Sequence, residues 1–218
     1  MPEEIPLFPL NTVLFPGMPL PLHIFEPRYR EMIALCSEEK RPFGVVLIRE
    51  GMEVGEAAKP FDVGTMAKII GVDRLEDGRL NIVTVGTRRF RLVNYYTDRQ
   101  SYVVGDVEIL DDQSEHSEDA SQLARDVGAM AQRYVAMVQA ASEQELTPLE
   151  LTANPEEISY VLGATLRIRN RERQRILEAG STIERLQLEK AIFERESATI
   201  EDFLKRRKAG NLGPFSRN

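Results

Sequence analysis

Short apolar runs rich in β-branched residues dominate the first half of the chain. Five segments have this pattern: residues 44–48, 65–75, 79–85, 89–93 and 102–110. Runs of this length and composition predict β-strands. Asp77-Gly78 lies between the second and third run, and Asp-Gly in such a position predicts a hairpin turn. Short strands separated by glycine predict a mainly antiparallel barrel or folded sheet.

The opening stretch, residues 5–25, carries no charged side chain and has the length of a membrane span. Five prolines interrupt it: Pro6, Pro9, Pro16, Pro19 and Pro21. Each interior proline removes a helical hydrogen bond, so no spanning helix is predicted. A secretory signal is also disfavoured, because Glu3 and Glu4 precede the stretch and no Ala-x-Ala follows it. We therefore predict opening strands with a turn at Pro16-Gly17.

A short amphipathic helix is predicted directly after this stretch. Pro27 suits the first turn of a helix. Four residues then follow at positions i, i+3, i+4 and i+7: Tyr29, Met32, Ile33 and Cys36. This spacing puts them on one buried face. A buried, inert thiol is therefore favoured over a reactive one for Cys36.

The period of the pattern becomes helical beyond a polar linker at residues 111–115. One stripe at alternating three- and four-residue spacings predicts a long amphipathic helix: Leu123, Val127, Met130, Tyr134, Met137 and Ala141. We accordingly predict two domains, a β subdomain at residues 1–112 and a helical subdomain at residues 113–218.

Capping signals mark two further helices. Asn154-Pro155-Glu156-Glu157 supplies a cap, a first-turn proline and a capping-box glutamate. Gly180 indicates a helix stop, and Ser181 with Glu184 forms a second capping box. The last helix is predicted from about Thr182 toward Lys205.

Composition narrows the classes of function. Of 218 residues, 42% are hydrophobic and 29% are charged, as in a globular protein. The formal net charge of −7 argues against general adhesion to nucleic acid or anionic lipid. One cysteine forms no internal disulfide, which suits a reducing compartment, so a cytoplasmic location is predicted.

Motifs for catalysis or cofactor binding are missing from the sequence. No Gly-Lys dipeptide is present, so there is no Walker A loop, and no Gly-x-Ser-x-Gly nucleophile elbow occurs. With two histidines and one cysteine, a zinc site would depend almost entirely on carboxylates. We predict no catalytic, cofactor or metal residues and no enzymatic activity. Partner-binding residues are not identified by the pattern.

Three polar features remain as candidates. His23 lies among apolar neighbours, and a hydrogen-bonded role at a strand-to-helix junction is favoured over catalysis. His116 lies in the polar linker and is predicted to be solvated. Residues 166–175 carry an arginine at every second position from Arg167 to Arg175. A two-residue spacing distributes charge around a helix, so a solvated surface is favoured over a dedicated anion site.

Several motifs of the first 112 residues resemble the N-terminal substrate-binding domain of ATP-dependent Lon proteases. These motifs are Pro9-Leu10, Leu14-Phe15-Pro16-Gly17, Pro21-Leu22, residues 63–69, Gly78 and Gly86-Thr87-Arg88-Arg89-Phe90. Residues 23–30, His-Ile-Phe-Glu-Pro-Arg-Tyr-Arg, resemble the version found in standalone proteins built from this domain. Pro16, Gly17, Gly64 and Gly86 are interpreted as requirements of the backbone and not as ligand contacts.

The resemblance implies an α+β fold in which a PUA-like β pseudobarrel with one short helix precedes a C-terminal helical bundle. It implies substrate recognition without the ATPase and protease domains, which lie later in the full protease. The same domain type occurs in cereblon, a ubiquitin-ligase receptor. The leading hypothesis is a noncatalytic protein- or peptide-binding module, with an adaptor role in protein quality control. RNA binding by a PUA-like domain is the alternative, and a small-molecule enzyme is the third hypothesis.

Overall fold

The computed structural model describes residues 2–53, 58–111, 117–142, 149–208 and 210. In these parts the chain forms six strands and five helices. They are β1 (Glu3–Leu10), β2 (Pro19–Ile24), α1 (Pro27–Glu38), β3 (Phe43–Glu50), β4 (Lys59–Arg74), β5 (Leu80–Tyr96), β6 (Val104–Leu110), α2 (Glu118–Ser142), α3 (Pro155–Thr165), α4 (Asn170–Glu178) and α5 (Thr182–Lys208). The predicted α+β class is confirmed.

All six strands belong to one sheet, ordered β2-β5-β4-β3-β1-β6. A further pairing joins β5 to β6, so that β5, β4, β3, β1 and β6 form a closed circuit of hydrogen-bonded neighbours. The pairing of β1 with β3 is parallel, and the other pairings are antiparallel. The predicted segments 79–85 and 89–93 are parts of one continuous strand, β5.

A three-stranded extension leaves this circuit at one end. It consists of β2, residues 68–74 of β4 and residues 80–85 of β5. Residues 75–79 connect the last two strands, where Gly78 has φ +81° and its N–H donates to the carbonyl of Leu75. The Asp-Gly sequence thus forms the predicted hairpin turn, because glycine adopts a positive φ without steric cost.

Helix α1 packs its predicted face into the larger apolar core of the strand unit. Tyr29, Met32, Ile33 and Cys36 are buried, and the ring of Tyr29 stacks on Phe8 of β1 at 4.0 Å. Complete burial of an apolar side chain such as that of Met32 or Ile33 stabilises a fold by roughly 1.5–3 kcal/mol. This face therefore holds α1 firmly against the sheet.

The opening stretch forms strands β1 and β2, as predicted. Between them, the N–H of Met18 donates to the carbonyl of Phe15, and Gly17 has φ +77°. These values define a turn at Pro16-Gly17. Gly86 pairs with this turn through backbone bonds to Gly17 and Met18. A side chain at residue 86 would collide with the backbone of Phe15, so Gly86 has the structural role that the sequence predicts.

Helix α4 groups with the strands and not with the other late helices. The contacts define one compact unit of residues 1–111 and 167–178, and a second of residues 112–166 and 179–218. The predicted boundary between residues 112 and 113 stays a prediction, and residues 112–116 lie outside the described part of the chain.

Hydrogen bonds attach both ends of α4 to the rest of the strand unit. The amide of Gln174 donates to the Val63 carbonyl at 2.9 Å. The Asn170 amide donates to the carbonyl of Asn11 at 2.6 Å. At the other end of α4, buried Arg89 donates to the carbonyl of Leu177 at 2.5 Å. A cation at a helix C-terminus also interacts favourably with the helix dipole.

The helical unit contains α2, α3 and α5. The predicted stripe of α2 is partly wrong, because Leu123, Met130 and Met137 are only half-buried. The buried face is shifted toward small residues: Ala120, Ala124, Gly128, Ala131 and Ala141. Small side chains let helices approach closely. In addition, the ring of Tyr134 packs edge-on against that of Phe193 on α5, with 5.4 Å between the ring centres.

The predicted caps of this unit are present. Asn154 accepts the Glu156 N–H at 3.0 Å at the start of α3. Ser181 Oγ accepts the N–H of Glu184 at 3.1 Å, and the Glu184 carboxylate accepts the N–H of Gly180 at 2.7 Å. Each bond satisfies a backbone donor that a helix start leaves unpaired.

Three ionisable side chains among the described residues of α5 are buried in the helical unit: Arg185, Glu189 and Glu196. Arg185 donates to Ser159 Oγ at 2.8 Å and its guanidinium lies 4.0 Å from the ring centre of Tyr160. Glu189, one turn later, is 0% exposed. Burial raises the pKa of Glu189 well above its ordinary value, and the positive charge of Arg185 opposes this rise only in part.

Candidate binding groove

Helix α1 and the outer part of β4 enclose a groove in the strand unit. Two adjoining cavities of about 420 Å³ each share Ser37 and Val72 in their walls. Ile33 and Ala34 of α1 line one cavity, and Ile69 lines the other. Both cavities therefore have apolar side chains in their walls, and their volumes are in the range of ligand-binding clefts.

One wall of the groove is an unpaired strand edge. The pairing of β3 with β4 stops at Phe43 opposite Ala67, whereas β4 continues to Arg74 and pairs there with β5. Within the described parts of the chain, no strand pairs with the other side of residues 68–74. We call this side the β4 edge. An edge of this kind presents backbone N–H and C=O groups to an incoming strand.

Helix α1 ends beside the β4 edge, at residues that line the groove. Lys40 has φ +52°, a conformation that side chains rarely adopt. The N–H of Arg41 donates to the Cys36 carbonyl, and the N–H of Glu39 donates to that of Leu35. The first bond and the left-handed residue define a Schellman ending with lysine in the usual place of glycine. This ending places Lys40 and Arg41 at one mouth of the groove.

Apolar side chains on β4 remain accessible beside the groove. Ile70 is 60% exposed and Val72 is 42% exposed. The register between β4 and β5 shifts between Ile69 and Gly71, so Ile70 lies at a β-bulge. Bulges turn side chains away from the regular alternation of a strand. Ile69 is half-buried and Ile70 is exposed, because consecutive side chains of a strand point to opposite faces.

Cationic residues surround the groove although the whole chain is acidic. Among the described residues that line it, five are cationic and one, Glu31, is a carboxylate. The cations are Arg30, Lys40, Arg41, Lys68 and Arg74. Arg41 pairs with Glu39 at 3.0 Å, and Glu31 accepts a hydrogen bond from Ser101. The local field of the groove therefore favours negatively charged groups.

Cys36 and Ser37 are two polar side chains in the groove wall, and they differ in reactivity and hydrogen bonding. Cys36 is 1% exposed, and burial raises the pKa of its thiol. The predicted burial of Cys36 is confirmed, and a raised pKa lowers the thiolate fraction. Ser37 lines both cavities, and its Oγ forms no hydrogen bond within the described residues.

His23 is an exposed bridge between β2 and the β4–β5 hairpin. Its Nδ1 lies 2.7 Å from Asn81 Oδ1, and its Nε2 lies 3.3 Å from the guanidinium of Arg79. Because a guanidinium only donates, Nε2 accepts and the Nδ1–H donates to Asn81. Both ring nitrogens of the neutral imidazole are thus occupied. This arrangement agrees with the predicted hydrogen-bonded role at the end of β2.

A smaller cavity places His23 near two carboxylates. It has a volume of about 140 Å³, and Glu26, Glu53 and Tyr29 also line it. Structural partners hold both carboxylates, because Glu26 pairs with Arg28 at 2.9 Å and Glu53 accepts the Asn11 N–H. Burial raises the pKa of Tyr29 to about 12, so its hydroxyl stays protonated at neutral pH. The cavity is smaller than ordinary ligand sites and does not favour the enzyme hypothesis.

The structure separates the arginines of residues 166–175 into two kinds. Arg167, Arg169, Arg171 and Arg175 are exposed, as predicted for a solvated surface. Arg173 is half-buried, its guanidinium lies 5.6 Å from the ring centre of Phe15, and burial lowers its pKa. His116, predicted to be solvated, lies outside the described residues.

The sequence patterns did not identify the groove. Their nearest signal was the consecutive Ile69-Ile70 pair, which breaks the alternation of β4. The unpaired edge follows from the different lengths of β3 and β4, which no local pattern encodes. No group of three or more metal-ligating side chains was found among the described residues, and no helix there is long and apolar enough to cross a membrane.

Among the solved structures that resemble this fold are two Lon N-terminal domains. A Lon N-terminal domain protein from Xanthomonas campestris aligns with a TM-score of 0.64 at 27% identity, over 85% of this chain and 95% of that one. The N-terminal domain of the Mycobacterium avium complex Lon protease aligns with a TM-score of 0.65 at 18% identity, over 88% and 98%. These similarities define the class as a mixed α+β domain with the Lon N-terminal fold.

Residues 4–194 match the ATP-dependent protease La (LON) substrate-binding domain, and the chain belongs to this family. Lon protease 2 of Syntrophobacter fumaroxidans is 30% identical over 84% of this chain and 23% of its own length. Lon protease 1 of Hydrogenovibrio crunogenus is 25% identical over 81% and 22%. The chain thus spans under a quarter of these relatives, and the matched part is the substrate-binding domain.

Proposed function

We propose that this protein is a noncatalytic module that binds polypeptide segments and acts as an adaptor in protein quality control. Membership in the substrate-binding domain family supports recognition of a protein substrate. The observation that carries the proposal is the groove, where accessible Ile70 and Val72 border an unpaired strand edge. Apolar contact and backbone pairing recognise unfolded chains without requiring one sequence.

A PUA-like pseudobarrel and a cytoplasmic location belong to the same proposal. The closed circuit of five strands supports the pseudobarrel. The single, buried cysteine supports a reducing compartment. We infer no reaction for the domain, because its carboxylates and His23 are held by structural partners around a small cavity.

Binding of an unfolded polypeptide tests this proposal. A reduced, alkylated and fluorescently labelled polypeptide that stays unfolded in buffer is titrated with the protein, and anisotropy is recorded. We expect saturable binding at micromolar concentrations. Ile70→Ser on β4 should weaken this binding, and Val93→Ser, a control at a similarly exposed position on β5, should leave it unchanged. Both side chains are exposed, so either change alters stability by less than about 0.5 kcal/mol. No saturable binding would overturn the proposed function.

The adaptor role has its own measurement. Purified Lon-type protease degrades the same unfolded polypeptide with and without this protein. We expect the degradation rate to change in its presence, and the change to be smaller with Ile70→Ser. Equal rates in all three reactions would leave a binding module and remove the adaptor role.

RNA binding is the second candidate, and the four exposed arginines near α4 favour it. Binding to structured RNA should then weaken with rising salt and with Arg171→Ala or Arg175→Ala. Arg173 is unsuitable for this test, because it packs against Phe15 and its loss alters the fold. Absence of binding at low salt would exclude this candidate.

A further inference from the structure

We propose that the β4 edge receives an extended peptide segment with alternating apolar and acidic side chains, as an added strand of the sheet. This inference rests on the proposed function and specifies the chemistry of the segment. Four observations support it: the unpaired backbone of Lys68–Arg74, the apolar groove beside it, the cationic rim and the Oγ of Ser37.

The geometry of the β4 edge determines the conformation of the bound segment. Within the described ranges of the chain, seven residues of β4 have no second partner strand. A strand rises by about 3.3 Å per residue, so the edge spans roughly 20 Å. A segment of about six residues covers that length. Its backbone must be extended to reach successive N–H and C=O groups of β4.

The two walls of the groove determine the alternation of side chains. Successive side chains of an added strand point to opposite faces of the sheet. One set faces the apolar surface of α1 at Ile33 and Ala34, next to Val72. The other set lies near the rim, where Lys68 and Lys40 contribute positive charge at one mouth. Apolar side chains therefore suit the first set and carboxylates suit the second.

The charge of the rim differs from that of the whole chain. The formal net charge is −7, which disfavours acidic partners at a distance. Five lining cations against one lining carboxylate reverse this preference at the groove. A second copy of the chain is a poorer occupant, because two cationic rims would face each other and like charges across an interface oppose binding.

A set of four peptides tests the inference. Three of them differ from the first in one property, either charge or backbone N-methylation. The probes are fluorescein-labelled octapeptides of alternating valine and glutamate, and of alternating valine and lysine. Two further valine–glutamate peptides carry N-methyl groups on every valine or on every glutamate. We expect the acidic peptide to bind at least about tenfold more tightly than the basic one. We expect one N-methylated peptide to lose binding and the other to keep it, since alternate N–H groups point to one side of a strand.

Charge reversal in the protein supplies the matched control. Lys68→Glu is expected to weaken binding of the acidic peptide by about threefold to tenfold and to strengthen binding of the basic one. Lys190→Glu, an exposed position on α5 with the same change in net charge, should leave both unchanged. Circular dichroism and the thermal midpoint check that each variant is folded.

The outcomes separate this inference from the proposed function. If the unfolded polypeptide binds but both N-methylated peptides bind equally, pairing at the β4 edge is wrong while polypeptide binding stands. If Lys68→Glu and Lys190→Glu have equal effects, the charge preference of the rim is wrong. If light scattering shows a dimer that Ile70→Ser disrupts, a second copy occupies the edge and the inference is overturned. If neither polypeptide nor peptides bind, the proposed function fails as well.

Discussion

Glu189 shows how one buried residue makes the stability of the helical unit depend on pH. Burial raises the pKa of this carboxyl, so the folded protein holds a proton that the unfolded chain releases above its ordinary pKa near 4.5. The unfolded state then binds fewer protons than the native state. Stability therefore falls as pH rises from about 4.5 toward the raised pKa.

Glu189→Gln tests this dependence, because glutamine keeps the size of the side chain and removes its titration. Relative to the natural protein, the variant should gain unfolding free energy as pH rises from 5 to 8, by at most about 1.4 kcal/mol per pH unit. Urea unfolding at several pH values measures the difference. A difference in unfolding free energy that stays constant with pH would contradict the direction of the pKa shift. So would a variant that loses unfolding free energy as pH rises, because Arg185 would then have lost a charged neighbour.

Single residues also show what the sequence could and could not predict. The spacing of Cys36 in α1 predicted that its side chain is buried. The chemistry of turns predicted that Gly17 lies in a turn. Both depend on neighbours close in sequence. The bulge at Ile70 and the buried pair on α5 depend on partners far along the chain, so composition and periodicity do not specify them.

The sequence patterns predict neither helix α4 itself nor the surface on which it packs. The surface is selected by Gln174 and Asn170, whose amides bond to carbonyls of the strand unit 111 and 159 residues away. Such long-range side-chain to backbone bonds leave no periodic signal, so the packing surface of α4 does not follow from the residues of α4 alone.

Arg89→Met tests the attachment of α4. Methionine keeps much of the volume of arginine and removes the donor to the Leu177 carbonyl, so we expect a loss of roughly 1–3 kcal/mol of unfolding free energy. Arg88→Met is the matched control, because exposed Arg88 pairs with exposed Asp111 and exposed pairs contribute about 0–1 kcal/mol. Urea unfolding of both variants measures the effect, and equal midpoints would show that Arg89 does not anchor the helix.

At the scale of the whole molecule, the order of strands and helices and the family were both evident from the sequence. Turn residues, proline positions and the Gly-x-x-Arg-Phe-like element are local signatures, and they locate the chain in the Lon substrate-binding family. The groove is a property of assembly, because it needs α1, the end of β3 and the overhang of β4 together. For that reason a sequence can identify the family while leaving the binding surface unassigned.

The two edges of the three-stranded extension have opposite consequences for handling the protein at high concentration. β2 forms one edge, where Pro19 and Pro21 lack backbone donors and resist the addition of a strand. At the β4 edge, aggregation between copies is opposed by the charges of Lys68 and Asp73. Crowded or high-salt preparations, in which charge repulsion is screened, should therefore lose solubility through the β4 edge first.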